Sequence, residues 1–83
     1  MSTAMPKALK EEGLDYFQRG DHQRALAVFE TAVSAYGAVQ DKAGQGEMLN
    51  NIGVLQRMQG NKNAAELALR EAIAIFEELN AAD

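Results

Sequence analysis

Shifted against itself by 40 residues the chain matches itself, and no other feature constrains its fold as much. Leu9 falls on Leu49, Gly13 on Gly53, Gly20 on Gly60, Ala25 on Ala65 and Ala32 on Ala72. Conservative pairs lie between them: Leu14 with Val54, Phe29 with Leu69, Val33 with Ile73, Tyr36 with Phe76 and Val39 with Leu79. Most of the identities are small residues at fixed spacing, which is what close helix packing demands. A glycine inside a helix costs about 0.8–1 kcal/mol against alanine. Two of them at matching places, Gly13 and Gly53, therefore argue for a packing requirement.

Each copy reads as two helices. Apolar residues recur at spacings of three and four, as in Leu26, Phe29, Val33 and Tyr36, or Leu69, Ile73, Phe76 and Leu79. The punctuation between them is that of helix ends. Gly20-Asp21 pairs a helix-ending glycine with a capping aspartate, Gly60-Asn61 repeats the device, and Asp41 after Gln40 is a candidate N-cap. Helices are expected over about 7–19, 22–39, 42–59 and 62–79. The one proline, Pro6, precedes them all. Gly44 and Gly46 are expected to weaken the first turn of the third helix. Gly13 with Ala25, and Gly53 with Ala65, suit the crossing points inside each unit, while Ala32 and Ala72 suit contacts between units.

Composition removes several function classes. With 83 residues there is room for one domain, residues 1–83. Eight basic residues are scattered among twelve acidic ones, for a net charge of -4, so neither nucleic acid nor an anionic membrane surface is an expected partner. No apolar run approaches the length of a bilayer span, and the N-terminus lacks the apolar stretch of a signal peptide. Cysteine is absent, so there is no disulfide framework or thiolate metal site, and a cytoplasmic location is the expectation. His22, the lone histidine, follows a turn and is read as an exposed helix-start residue. Glu11-Glu12 and Glu77-Glu78 are adjacent in sequence, so the members of each pair point in different directions. Gly44-x-Gly46 has neither a preceding strand nor a following Gly-Lys-Ser/Thr, and Thr31 and Ser34 have no histidine nearby to activate them. The chain is expected to be non-catalytic, with no metal and no cofactor.

These residues resemble the tetratricopeptide repeat, whose pattern is a bulky residue, Leu-Gly and Tyr in the first helix and Ala-x-x-x-Phe in the second. Unit one shows Leu9, Gly13, Tyr16, Ala25, Phe29 and Ala32; unit two shows Leu49, Ile52-Gly53, Ala65, Leu69 and Ala72. Departures are Glu12 where leucine is usual and Gln56 where tyrosine is usual. The spacing is similar to that of the roughly 40-residue variety found in G-protein-signalling scaffolds, kinesin light chains and many bacterial regulators. The resemblance implies an all-α fold: two helix-turn-helix repeats, at about 6–40 and 46–80, making four antiparallel helices in a right-handed superhelical stack.

It also implies a non-catalytic module that binds a protein or peptide in a concave groove lined by the first helix of each unit. Lys10, Leu14 and Phe17 from unit one, and Asn50, Asn51, Val54, Arg57 and Met58 from unit two, take the groove positions. Leu14 is the one most expected to be partly buried. An asparagine such as Asn51 can hold a peptide backbone, because its amide both donates and accepts. In the branch of the family that clamps a C-terminal carboxylate, Lys10 and Asn51 would match, but Leu14 stands where asparagine is needed. A second expectation is self-association. Ile73, Phe76 and Leu79 in the last helix have no polar cap, and a second copy meeting them about a twofold axis would give a homo-oligomer, a dimer. A self-assembling structural module, or a piece of a larger repeat protein, is the alternative to a peptide-binding adaptor.

Overall fold

The computed structural model describes residues 5–81 and contains, among them, four α-helices and no strand. They are α1 (Pro6–Gln18), α2 (His22–Ala38), α3 (Lys42–Met58) and α4 (Lys62–Ala81). Their ends fall within two residues of those read from the sequence. Short turns force consecutive helices to run antiparallel, and each packs on the next in chain order, α1 on α2, α2 on α3 and α3 on α4. The result is a slab of 38 × 37 × 17 Å.

All three turns use one hydrogen-bond scheme. The amide of Asp21 donates to the Tyr16 carbonyl at 2.9 Å and that of Gly20 to Phe17 at 3.0 Å. Asp41 and Gln40 do the same to Tyr36 and Gly37, and Asn61 and Gly60 to Gln56 and Arg57. This pair of hydrogen bonds satisfies helix-end carbonyls and requires a left-handed residue after the helix. Gly20 and Gly60 supply it at φ 80° and 83°, whereas the turn between the two units places Gln40 there at φ 59°. The next helix is then capped from its side. Asp21 accepts from the Arg24 amide at 3.2 Å and Asp41 from the Gly44 amide at 2.8 Å. The Asn61 side chain donates back to Gln56 Oε1 at 2.9 Å.

The core is centred on the α2–α3 interface. Ala25, Phe29, Ala32 and Tyr36 of α2 meet Met48, Ile52 and Leu55 of α3, with Ala68 from α4 and Leu9, Tyr16 and Phe17 of α1 packed around them. Phe29, Met48 and Leu55 are its largest fully buried side chains. On α4 the buried residues are the small ones, Ala65, Ala68 and Ala72, so the helix lies close against α3.

The glycines mark where bulky side chains cross a neighbouring backbone. A Cβ on Gly13 would lie 2.5 Å from Phe29 Cε1, and one on Gly53 would lie 2.6 Å from Leu69 Cγ. These two contacts are 40-residue counterparts of each other on both sides. The ring of Phe29, rather than Ala25, is thus the nearest neighbour of Gly13, while at Gly53 the Ala65 carbonyl lies near as expected. Gly44 and Gly46 depart from the expectation of a weakened helix start. Helix α3 begins at Lys42 and runs unbroken through both. Gly44 is buried beneath the Tyr36 ring, and Gly46 lies against Phe76 and Ile75. Their low helix propensity is offset by the close approach they allow and by the Asp41 cap.

Candidate functional site

Helices α1 and α3 lie side by side across α2, so one face of each looks into a shared groove. Side chains three residues apart on a helix lie on one face, and this spacing brings Leu14 and Phe17 of α1 opposite Asn51 and Val54 of α3. Phe29 and Leu55 close the floor beneath them, leaving an apolar notch of about 80 Å³. Asn51 is its polar lining residue and is half-buried. Leu14 and Val54 are exposed at the lip, whereas Phe17 is half-buried. Against the expectation of partial burial, Leu14 stays at the surface at 36% exposure while Phe17 turns inward. Phe17 is drawn down by the core and by the His22 ring, which stacks on it with centroids 5.7 Å apart. His22 is accordingly half-buried, not a free surface residue.

The remaining expected groove residues do not join the notch. Lys10 is at the rim, where its Nζ donates to Glu47 Oε1 at 3.2 Å and Oε2 at 3.3 Å, bridging α1 and α3. Asn50 and Met58 are exposed outside it. Arg57 lines a different groove, of about 540 Å³, with Lys62, Ala65, Glu66, Leu69, Arg70 and Ile73 of α4. That second groove was missed in the sequence, as was Glu47. The sequence signal for the groove is the basic series Arg57, Lys62 and Arg70 around the turn at Gly60, which folding back of α4 on α3 gathers into one place. Glu47 carries no local signal, because its partner is on another helix.

Ile73, Phe76 and Leu79 are all exposed on α4, together with Leu67. Among the described residues no polar or charged side chain is buried, and no three His, Cys, Asp or Glu come close enough together to hold a metal ion. No helix among them is long and apolar enough to cross a membrane.

No curated protein and no solved structure matches the chain. The sequence profile described as the tetratricopeptide repeat matches residues 5–78. That span takes in α1, α2 and α3 whole and nearly all of α4, including the first repeat, nearly all of the second and the three turns. The chain therefore belongs to the tetratricopeptide-repeat family, whose repeats mediate protein–protein interaction.

Proposed function

We propose that the chain is a non-catalytic cytoplasmic adaptor whose two units act as one domain, 1–83, and which binds a peptide or helix in the groove between α1 and α3. The observation that carries this reading is the notch lined by Leu14, Phe17, Asn51 and Val54. An apolar side chain of the ligand fills it while the Asn51 amide bonds the ligand backbone beside it. Lys10 and Glu47 at one end hold a salt bridge across the two helices, so a charged ligand residue there has both signs to choose from. Arg57, Asn50 and Met58 act outside the notch, as contacts to a longer ligand.

The test uses peptides selected from a random 12-residue display library against the native chain. Val54→Asp and Asn51→Ala should each weaken binding of the selected peptides at least about tenfold, because a charge or a truncation at the notch leaves buried groups unpaired. Both positions are outside the core, so circular dichroism should show unchanged helicity. Full-strength binding by both variants would place the ligand on another face.

Self-association is the second reading, favoured by the exposure of Leu67, Ile73, Phe76 and Leu79 along one helix. It is compatible with the first, since the notch and α4 are separate surfaces.

A further inference from the structure

Helix α4 carries a second pattern that packing on α3 covers only in part: Leu69 rests on Gly53 and the tip of Phe76 on Gly46, while Ile73 has no such contact. Glu66, Leu69, Ile73, Phe76 and Asn80 follow one another at spacings of three, four, three and four, the seam of a two-stranded coil. Ile73 is 56% exposed and Phe76 39%, and Leu69 is half-buried. Beside this seam, at positions directly following Leu69 and Phe76, stand Arg70 and Glu77. They occupy the same flank, seven residues apart, with opposite charges. In a parallel pair of helices such a flank meets the other flank of its partner, which here carries Ala65, Ala72 and Leu79 and has no charge to offer. In an antiparallel pair it meets itself, and Arg70 of one helix faces Glu77 of the other.

We infer that α4 is the contact surface for a second copy of this chain, docked antiparallel about a twofold axis that passes between Ala74 and Ile75. This rests on the self-association reading above and specifies its geometry. In this register Ile73 packs on the partner's Phe76, and the symmetry repeats the contact. The groove lined by Leu69, Arg70 and Ile73 is the hole that receives the incoming ring. Arg70 pairs with the partner's Glu77 twice, once on each side of the axis. In the single chain Arg70 is bridged to Glu66, one turn earlier, and it shares that carboxylate with the incoming one on docking. Glu71 and Glu78 are exposed. They follow the paired charges in sequence and so stand off the seam, with Glu78 bridged to Lys42 of α3.

The experiment is charge reversal followed by mixing. Mass is measured by sedimentation equilibrium across concentration, for the native chain, Arg70→Glu, Glu77→Arg and a 1:1 mixture of the two variants. The native chain should be a dimer. Each variant alone sets like charges against each other at both pairs, and its dimer dissociation constant should rise roughly tenfold at low salt. The mixture should restore dimerisation, because every contact in the heterodimer is again between opposite charges. Both positions are exposed, so circular dichroism of each variant should match the native chain. A native chain that stays monomeric overturns the self-association reading and this inference together, and leaves the face to a different protein. A native dimer that both single variants preserve, or that mixing does not restore, overturns the antiparallel α4 seam alone.

Discussion

Helices α2 and α4 carry nearly the same apolar series 40 residues apart, yet they live in different surroundings. Tyr36 is 8% exposed and its counterpart Phe76 is 39% exposed; Val33 is half-buried while Ile73 is exposed. Phe29 is fully buried and Leu69 only half so. Helix α2 is held between α1 and α3, whereas among the described residues α4 packs chiefly on α3. A periodic apolar face therefore reports which side of a helix avoids water. It does not report whether another element of the same chain covers that side. In a stacked repeat each unit borrows its cover from the next, so identical sequence patterns have unequal energetic weight.

Truncation should expose that inequality most strongly. Phe29→Ala removes a ring that fills the space above Gly13, and it should cost about 3–5 kcal/mol. A chain of this size has a total stability on the order of 4–12 kcal/mol, so the variant should lose a large share of it. Phe76→Ala should cost only about 1 kcal/mol when measured at concentrations where the chain is monomeric, since much of that ring is already in water. Urea midpoints for the two variants test the contrast directly, and equal losses would mean that α4 is covered as well as α2.

Adding a methyl should give the same ordering with a smaller spread. Gly44 lies against the inner part of the Tyr36 ring, and that ring is hemmed in by the core. Gly44→Ala should cost about 1–3 kcal/mol by overpacking. At Gly46 the nearest atom is the tip of Phe76, 2.9 Å from a built Cβ, and this ring can swing outward. Gly46→Ala should be close to neutral, because the gain in helix propensity, about 0.8–1 kcal/mol, offsets the displacement. If the two substitutions cost the same, Phe76 is as constrained as Tyr36.

These glycines also show where sequence reading stopped. The helix count, the turns and the caps were legible because each is set by residues within one turn of each other: Gly20 with Asp21, Gln40 with Asp41, and the apolar period between. Gly13 and Gly53 were legible as packing sites because the repeat duplicates them. Gly44 and Gly46 have no counterpart in the first unit, since the residues 40 earlier precede α1 or begin it, so only propensity could be consulted and it pointed the wrong way. The groove was half legible. Family register grouped Leu14, Phe17, Asn51 and Val54, which line one notch, with Lys10, Asn50, Arg57 and Met58, which do not. Arg57 is only three residues from Val54, yet it lies near the end of α3, where α4 turns back beside it. The distinction depends on the path of the next helix. Glu47 was illegible for the same reason: its meaning comes from Lys10, two helices away.

A third comparison lies at the turns, with a smaller expected effect. Gly20 and Gly60 hold the left-handed position inside the units, and Gln40 holds it between them. A side chain there costs about 1–2 kcal/mol in a left-handed helix, less in a single turn residue, and glycine removes that cost while adding disorder to the unfolded chain. Gln40→Gly should therefore stabilise by about 0.5–1 kcal/mol, and Gly20→Ala should destabilise by about 1 kcal/mol. Thermal unfolding of the two variants checks the signs. A destabilised Gln40→Gly chain would show that the glutamine side chain has a role of its own in the turn between units.

The smallest effect should come from a salt bridge to α3 that α4 has and, among the described residues, α2 lacks. Lys42 at the start of α3 is bridged to Glu78 near the end of α4, while the residue matching Glu78 in α2 is Ala38. Both partners are at least half-exposed, and exposed pairs contribute about 0.2–1 kcal/mol and weaken with salt. Global stability should therefore fall by no more than about 0.5 kcal/mol in Glu78→Gln. The local consequence should be easier to see. Packed chiefly on α3, the last turn of α4 depends on few contacts, and helix ends open far more readily than helix middles. Hydrogen exchange at the amides of Leu79, Asn80 and Ala81 should speed up in Glu78→Gln, while the amides of Tyr36 and Gly37 in α2 should not change. Raising the salt to about 1 M, where the Debye length shrinks to about 3 Å, should bring the native chain and the variant together. If their exchange rates agree already at low salt, the bridge does not hold the end of α4, and the order of that last turn comes from packing on α3 alone.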